Sequence, residues 1–128
     1  MRFDILVYVG LGGALGSMLR YSCSYLLAAT KVFNIASGTL VVNLAGSFLI
    51  GLLFSGFVKN SGSELVRFFL LSGVLGGFTT FSAFSFENLH LLKEGNFKFL
   101  LLNIITQVLG GLLLAFSGYY LGEKITAN

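Results

Sequence analysis

The sequence predicts an all-α membrane protein in which four transmembrane helices form a single domain over residues 1–128. Of the 128 residues, 55% are hydrophobic and only 10% are charged, whereas soluble domains carry about 25% charged residues. The apolar character continues to the C-terminal segment instead of ending after one stretch. We therefore expect the first segment to be retained as a span and not removed as a signal peptide.

Four windows of the chain meet the length of about 20 mostly apolar residues that a helix needs to cross the hydrocarbon core. They cover residues 5–29, 35–58, 65–92 and 99–121. The polar connections between them are too short to hold a folded extramembrane domain. Successive spans should therefore alternate in direction, which places both termini on the same side of the membrane.

The first span carries an arginine in the stretch GGALGSMLRY, and an ionisable group inside a span is costly. Arg20 has two interpretations: its long side chain snorkels to an interface, or it supplies positive potential at the mouth of an aqueous vestibule. The single cysteine, Cys23, excludes an intrachain disulfide and a metal site built from cysteines. The net charge of +3 is spread thinly, so no basic block indicates nucleic-acid binding.

The second span contains an amide in an otherwise apolar stretch, GTLVVNLAGSFLIG. Asn43 needs hydrogen-bond partners in the membrane, either from another helix or from a solute. Bridging helices is the commoner use, but an amide NH₂ is also a good donor to an anion. Both interpretations remain open from the sequence.

The third span contains GVLGGFTTFSAF, a composition that weakens a helix. Gly73, Gly76 and Gly77 lower helix stability, and the β-branched pair Thr79 and Thr80 lowers it further. A broken membrane helix is tolerated only where its freed backbone groups are buried in protein or line a water-filled cavity. The stretch is therefore either an interruption whose carbonyl oxygens bind an ion, or a glycine-rich helix packed tightly on a neighbour.

Phe81 and Phe84 follow this stretch three residues apart, so they share one helical face. Aromatic residues at this spacing usually pack in a core. However, a phenyl ring has a positive edge, and rings turned edge-on to a narrow pore could favour a small anion. Glu87, near the end of the same span, is either an interfacial residue or part of a pathway.

The fourth span also carries a polar face, because Asn103, Thr106 and Gln107 occupy positions i, i+3 and i+4. Such a stripe should face a partner helix or water. Pairs of small residues at four-residue spacing, such as Gly12 with Gly16, would let backbones approach closely in lipid.

The positive residues near the span ends are almost evenly divided between the two sides. The side with the termini carries Arg2, Lys59, Arg67 and Lys124, and the other carries Lys31, Lys93 and Lys98. The positive-inside rule therefore gives a weak bias at most. The chain either follows that bias or inserts in both orientations, which would allow an antiparallel homodimer.

Three stretches in order, GGALGSMLRY, GTLVVNLAGSF and GGFTTFSAF, resemble the Fluc or CrcB family of fluoride channels, and the resemblance covers the whole chain. It implies a dual-topology, antiparallel homodimer with two fluoride pores. It also implies a structural sodium ion that is not transported. By position in the motif, its ligands would be the backbone carbonyl oxygens of Gly76 and Thr79 from each subunit.

The resemblance also implies roles for side chains. Phe81 and Phe84 match the pore phenylalanines of the family, Asn43 matches its pore asparagine, and Arg20 matches its first-span arginine. The expected pathway residues are Asn43, Thr80, Phe81, Ser82 and Phe84, with Arg20, Glu87, Asn103 and Gln107 forming a vestibule or polar track. Ala83 departs from the family pattern by lacking a hydroxyl, and Asn103 and Gln107 replace residues that are often tyrosine and serine.

The expected function is passive export of fluoride from the cytoplasm across a bacterial inner membrane, which would reduce fluoride toxicity. An inside-negative potential favours anion exit by about 2.3 kcal/mol per 100 mV. One alternative is a small multidrug-resistance-type cation exporter, but its membrane-embedded carboxylate is missing, since Asp4 stands at the extreme start of the first span. Another is a regulatory subunit without transport. An enzyme is disfavoured because no catalytic cluster is readable.

Overall fold

The computed structural model describes residues 2–59 and 63–127. Within these residues four helical spans are long and apolar enough to cross a membrane, which confirms the predicted helical class. The first span is α1 (Phe3–Leu26) and the second is α2 (Gly38–Lys59). The third span covers Glu64–Lys93 and the fourth covers Phe97–Ala127.

The third and fourth spans are each divided into shorter elements. The third consists of α3 (Glu64–Arg67), a π-helical segment (Phe68–Leu75), α4 (Gly76–Phe78) and α5 (Phe81–Lys93). The fourth consists of α6 (Phe97–Ile105), a π-helical segment (Thr106–Gly110) and α7 (Gly111–Ala127). The wider turns of a π-helix are rare in proteins. Where they occur, they are often found at functional sites.

A short β-hairpin with a two-residue turn connects the first span to the second. The strands β1 (Lys31–Val32) and β2 (Ile35–Ala36) pair in antiparallel register, with Val32 opposite Ile35. The two turn residues, Phe33 and Asn34, have φ values of 53° and 66°. Positive φ at both central residues is the signature of a type I′ turn, which reverses the chain within two residues.

A glycine ends the third span and turns the chain into the fourth. Gly95 has a φ of 73°, a conformation that glycine adopts without a steric penalty. Its N–H donates to the Leu92 carbonyl at 3.1 Å, and the Asn96 N–H donates to the Leu91 carbonyl at 2.9 Å. This Schellman pattern satisfies the last helical carbonyls and starts an antiparallel return.

Small residues bring the helices together in two tightly packed pairs. The first span packs on the N-terminal half of the third, where a Cβ at Gly16 would overlap the carbonyl oxygen of Val74. The second span packs on α7, where a Cβ at Gly118 would overlap the carbonyl oxygen of Phe48. Such backbone contact is the main route to stable helix packing in lipid, where apolar burial gives no advantage.

Candidate functional site

The third span is interrupted at two threonines, which is one of the two interpretations that its composition leaves open. Thr79 (φ −82°, ψ 158°) and Thr80 (φ −151°, ψ 116°) are extended and separate α4 from α5. The alternative interpretation, tight glycine packing, applies to the residues just before the break. There a Cβ at Gly73 would come within 2.9 Å of the Cα of Gly12 on the first span.

Asn43 of the second span pairs with two of the backbone groups that the break leaves without helical partners, the N–H and the carbonyl of Thr80. The Thr80 N–H donates to Asn43 Oδ1 at 2.8 Å, and Asn43 Nδ2 donates to the Thr80 carbonyl at 3.1 Å. Each of these backbone groups, if buried without a partner, would cost about 1–3 kcal/mol. The side-chain amide therefore replaces the missing helical hydrogen bonds and fixes the second span to the break.

The threonine hydroxyls complete the two helix ends at the break. Thr80 is the N-cap of α5, because its Oγ1 accepts a hydrogen bond from the Ala83 N–H at 3.2 Å. The same oxygen lies 3.0 Å from the hydroxyl of Ser82, which is exposed. On the other side, Thr79 Oγ1 donates to the Leu75 carbonyl at 3.0 Å. The break is therefore a capped and ordered feature of the span.

Arg20 extends from the first span to the same place. Its Nε donates to the carbonyl oxygen of Gly77 at 3.0 Å, at the C-terminal end of α4. A cation is favourable at the end of a helix where carbonyl groups are unpaired. This contact locates the Arg20 head group beside the break, whereas its role in a vestibule stays a prediction.

The two predicted pore phenylalanines lie together at the start of α5. Their ring centroids are 5.4 Å apart and their planes are inclined by 49°. Phe84 is buried, with 9% of its surface exposed, while Phe81 is 77% exposed. Phe84 therefore lies in the interior of the chain, and most of the Phe81 surface is exposed.

A cavity of about 380 Å³ brings most of the predicted site residues together. The sequence-predicted residues on its wall are Asn43, Gly76, Thr79, Thr80, Phe81, Phe84 and Gln107. Its other wall residues are mostly apolar or small, namely Gly46, Ser47, Ile50, Leu71, Leu75 and Val108. Both π-helical segments contribute to this wall, through Leu71, Leu75, Gln107 and Val108.

Four predicted residues lie outside this wall: Arg20, Ser82, Glu87 and Asn103. Glu87 lies beside Thr39, and its Oε2 is buried with no hydrogen-bond partner in the part of the chain that the structure describes. Asn103 is fully buried, and its Nδ2 donates to Asn88 Oδ1 at 3.0 Å.

Asn88 is a site residue that the sequence analysis did not single out. Its position four residues after Phe84 on α5 was readable, and its Nδ2 donates to the Phe84 carbonyl at 2.9 Å. Its pairing with Asn103, however, joins two different spans. No periodicity along one helix predicts a contact of that kind.

Comparison with known proteins gives the family. Residues 7–119 match the family described as CrcB-like protein, Camphor Resistance (CrcB). Three relatives are each named fluoride-specific ion channel FluC. A protein of Thermus thermophilus is 47% identical over 125 residues, 98% of each chain. The Campylobacter jejuni strain 81-176 protein is 45% identical over 117 residues, 91% of this chain and 95% of the relative.

The third of these relatives, from Parabacteroides distasonis, is 39% identical over 115 residues, 90% of each chain. Both the family match and these identities extend across nearly all of the helical structure, including the break and the cavity. The chain therefore belongs to the CrcB-like family of multi-pass membrane proteins, which are ion channels and not enzymes.

Proposed function

We propose that this chain is a fluoride-selective channel that lets fluoride leave a bacterial cytoplasm passively across the inner membrane. The observation that carries the proposal is the cavity at the break. It combines two phenyl rings with amide and hydroxyl groups from the second, third and fourth spans. The relatives named fluoride-specific ion channel FluC support the same substrate.

The main obstacle to conduction is removal of water from a small, strongly hydrated anion. Transfer of an ion into an apolar medium without replacement hydrogen bonds is prohibitive. We infer that hydroxyl donors from Thr80 and Ser82, together with the positive edges of the Phe81 and Phe84 rings, replace the lost water in turn. Asn43, whose two amide hydrogens bond the Thr80 carbonyl and Gln107, orders these groups at the break. Selectivity over chloride would then follow from a narrow bore.

The direction of flow requires no energy source beyond the membrane potential. An inside-negative potential favours the exit of a monovalent anion by about 2.3 kcal/mol per 100 mV. Hydrogen fluoride, a weak acid, can enter uncharged from an acidic medium and release its proton in a near-neutral cytoplasm. A passive pore is then sufficient to lower cytoplasmic fluoride.

We further propose that two copies assemble as an antiparallel homodimer with dual topology. In the single chain Phe81 is 77% exposed, and Gly76 is exposed beside it on the cavity wall. A second, oppositely inserted copy on this face would cover both residues and close the open side of the cavity. The near-equal numbers of positive residues on the two sides of the membrane permit insertion in both orientations.

A structural sodium ion fits the residues at the break. The carbonyl oxygens of Gly76 and Thr79 accept no hydrogen bond from residues 2–59 or 63–127, and a Cβ at Gly76 would meet no atom within 4 Å. Carbonyl oxygens without a hydrogen-bond donor suit a hard cation. When bound, this ion would cross-link the two breaks without being transported.

Fluoride release from liposomes tests the function directly. Purified protein reconstituted into fluoride-loaded liposomes is expected to release fluoride, measured with a fluoride electrode after a potassium ionophore is added. Matched chloride-loaded liposomes, read with a chloride electrode, should show little release. Equal release of both anions, or none of either, would contradict the proposal.

Proton-coupled export of organic cations is not favoured, because Asp4 is paired with Arg2 at 2.7 Å and is exposed.

Exchange of the cation tests the sodium site. The purified protein should unfold at a higher temperature in sodium chloride than in potassium or N-methylglucamine chloride, because a ligand that binds only the folded state stabilises it. The proposed ligands are main-chain oxygens, so Thr79→Ser is expected to keep the sodium response. Identical unfolding temperatures in all three salts would exclude a stabilising sodium ion.

A further inference from the structure

A continuous series of amide hydrogen bonds connects the break in the third span to the carbonyl of Phe84. It starts at the Thr80 N–H, which donates to Asn43, and Asn43 Nδ2 donates to Gln107 Oε1 at 2.7 Å. Gln107 Nε2 then donates to Asn103 Oδ1 at 3.0 Å. The series ends through Asn88, which accepts from Asn103 at 3.0 Å and donates to the Phe84 carbonyl at 2.9 Å. We call these four side chains, Asn43, Gln107, Asn103 and Asn88, the amide ladder.

The two ends of the amide ladder fix the direction of every bond in it. The Thr80 N–H can only donate, and the Phe84 carbonyl can only accept. Rotating any one amide by half a turn would place its NH₂ against a donor on one side. On the other side its oxygen would face an acceptor. Each amide therefore has one allowed orientation, and bonds aligned in this way strengthen one another.

This direction determines which amide hydrogen is available in the cavity. Both hydrogens of Asn43 Nδ2 are engaged, one with the Thr80 carbonyl and the other with Gln107. Gln107 Nε2 uses one hydrogen for Asn103, and its second has no acceptor among the residues that the structure describes. Because Gln107 lies on the cavity wall, this second N–H is a donor that an anion in the cavity can use.

We propose that Asn88 is a positioning residue for anion passage. Asn88 lies outside the cavity wall and acts through Asn103, whose orientation it fixes. Asn103 in turn accepts from Gln107 Nε2, so that one N–H of Gln107 is bound in the ladder and the other is left for the anion. The inference rests on the proposed fluoride conduction and adds to it a residue outside the cavity wall, which bonds the main chain of Phe84 and not its ring. Without Asn88, the Asn103 amide loses its acceptor and can rotate, which releases Gln107.

An isosteric pair of substitutions tests the role of Asn88. A threonine on a helix donates its hydroxyl to the carbonyl four residues earlier, as Ser85 does to Phe81 at 2.9 Å. Asn88→Thr therefore keeps a hydroxyl that can bond Phe84 and presents lone pairs toward Asn103, one bond nearer the helix than Asn88 Oδ1. Asn88→Val has the shape of threonine without polar atoms. We expect Asn88→Val to slow fluoride release about tenfold, the equivalent of roughly 1.4 kcal/mol, and Asn88→Thr to remain close to the unmodified protein.

The control is Ser85→Ala, which removes a similar hydrogen bond to the helix backbone from α5 without touching the ladder. It should release fluoride at the unmodified rate. Each variant is checked by size-exclusion chromatography, and Asn88→Ala replaces Asn88→Val if the latter does not elute as a folded protein. Equal rates for the threonine and apolar variants would overturn the positioning role.

A double-mutant cycle separates positioning from a structural effect. Asn88 and Gln107 share no direct hydrogen bond but are joined through Asn103. Substitutions at independent sites act additively, whereas residues of one hydrogen-bond network are coupled. We expect Asn88→Val to have little further effect in a Gln107→Leu protein, because the group that it positions is already gone. The same tenfold loss in both backgrounds would refute the proposal, whereas absence of release from the unmodified protein would refute fluoride conduction itself.

Discussion

Replacing Phe84 with isoleucine is expected to reduce fluoride release from liposomes about tenfold or more, since the loss of roughly 1.4 kcal/mol at the barrier slows passage by a factor of ten. Isoleucine nearly fills the space of the ring but has no quadrupole with a positive edge. Phe84 is buried on the cavity wall, 5.4 Å from the Phe81 ring. Phe81→Ile should therefore cause a comparable loss.

Phe86→Ile provides the matched control for these variants. Phe86 belongs to the same helix, is 71% exposed and is not part of the cavity wall. Its substitution should leave fluoride release unchanged. Rates are measured with the fluoride electrode on protein that elutes as the same assembly in each case. Unchanged release from both Phe81→Ile and Phe84→Ile would remove the ring edges from the mechanism.

The parts of the structure that the sequence predicts are those encoded locally. Span length and apolarity indicate the four helices. The glycines followed by two threonines make a break possible, and the structure has it at Thr79 and Thr80. The spacing of Phe81 and Phe84 predicts a shared face, which the contact between their rings confirms. Each of these features depends on residues that are neighbours along the chain.

The parts that the sequence does not predict depend on how distant segments meet. The sequence shows that Asn43 is a polar residue in an apolar span. That it bonds the Thr80 backbone, however, follows from the packing of the second span against the third. The contacts of Arg20 with Gly77 and of Asn88 with Asn103 are of the same kind. The orientation of each amide in the ladder requires the whole set of partners, so no single position carries that information.

Replacing Gly16 with alanine is expected to destabilise the fold strongly. A Cβ at this position would overlap the carbonyl oxygen of Val74 and come within 2.9 Å of the Phe78 nitrogen. These are backbone atoms, which cannot rotate away as a side chain can. Overpacking costs about 1–3 kcal/mol where side chains can adjust, so we expect a loss at or above the upper end of that range.

Gly10→Ala is the matched control, because Gly10 lies on the same helix, is exposed and would have no atom within 4 Å of an added Cβ. Alanine there should be neutral or stabilising by up to about 1 kcal/mol, the difference in helix propensity. The unfolding temperatures of the two purified variants in detergent provide the comparison. Since Val74 and Phe78 lie within five residues of the break, Gly16→Ala should also weaken the sodium-dependent stabilisation. A Gly16→Ala protein as stable as Gly10→Ala would show that close packing of the first and third spans does not hold the break in place.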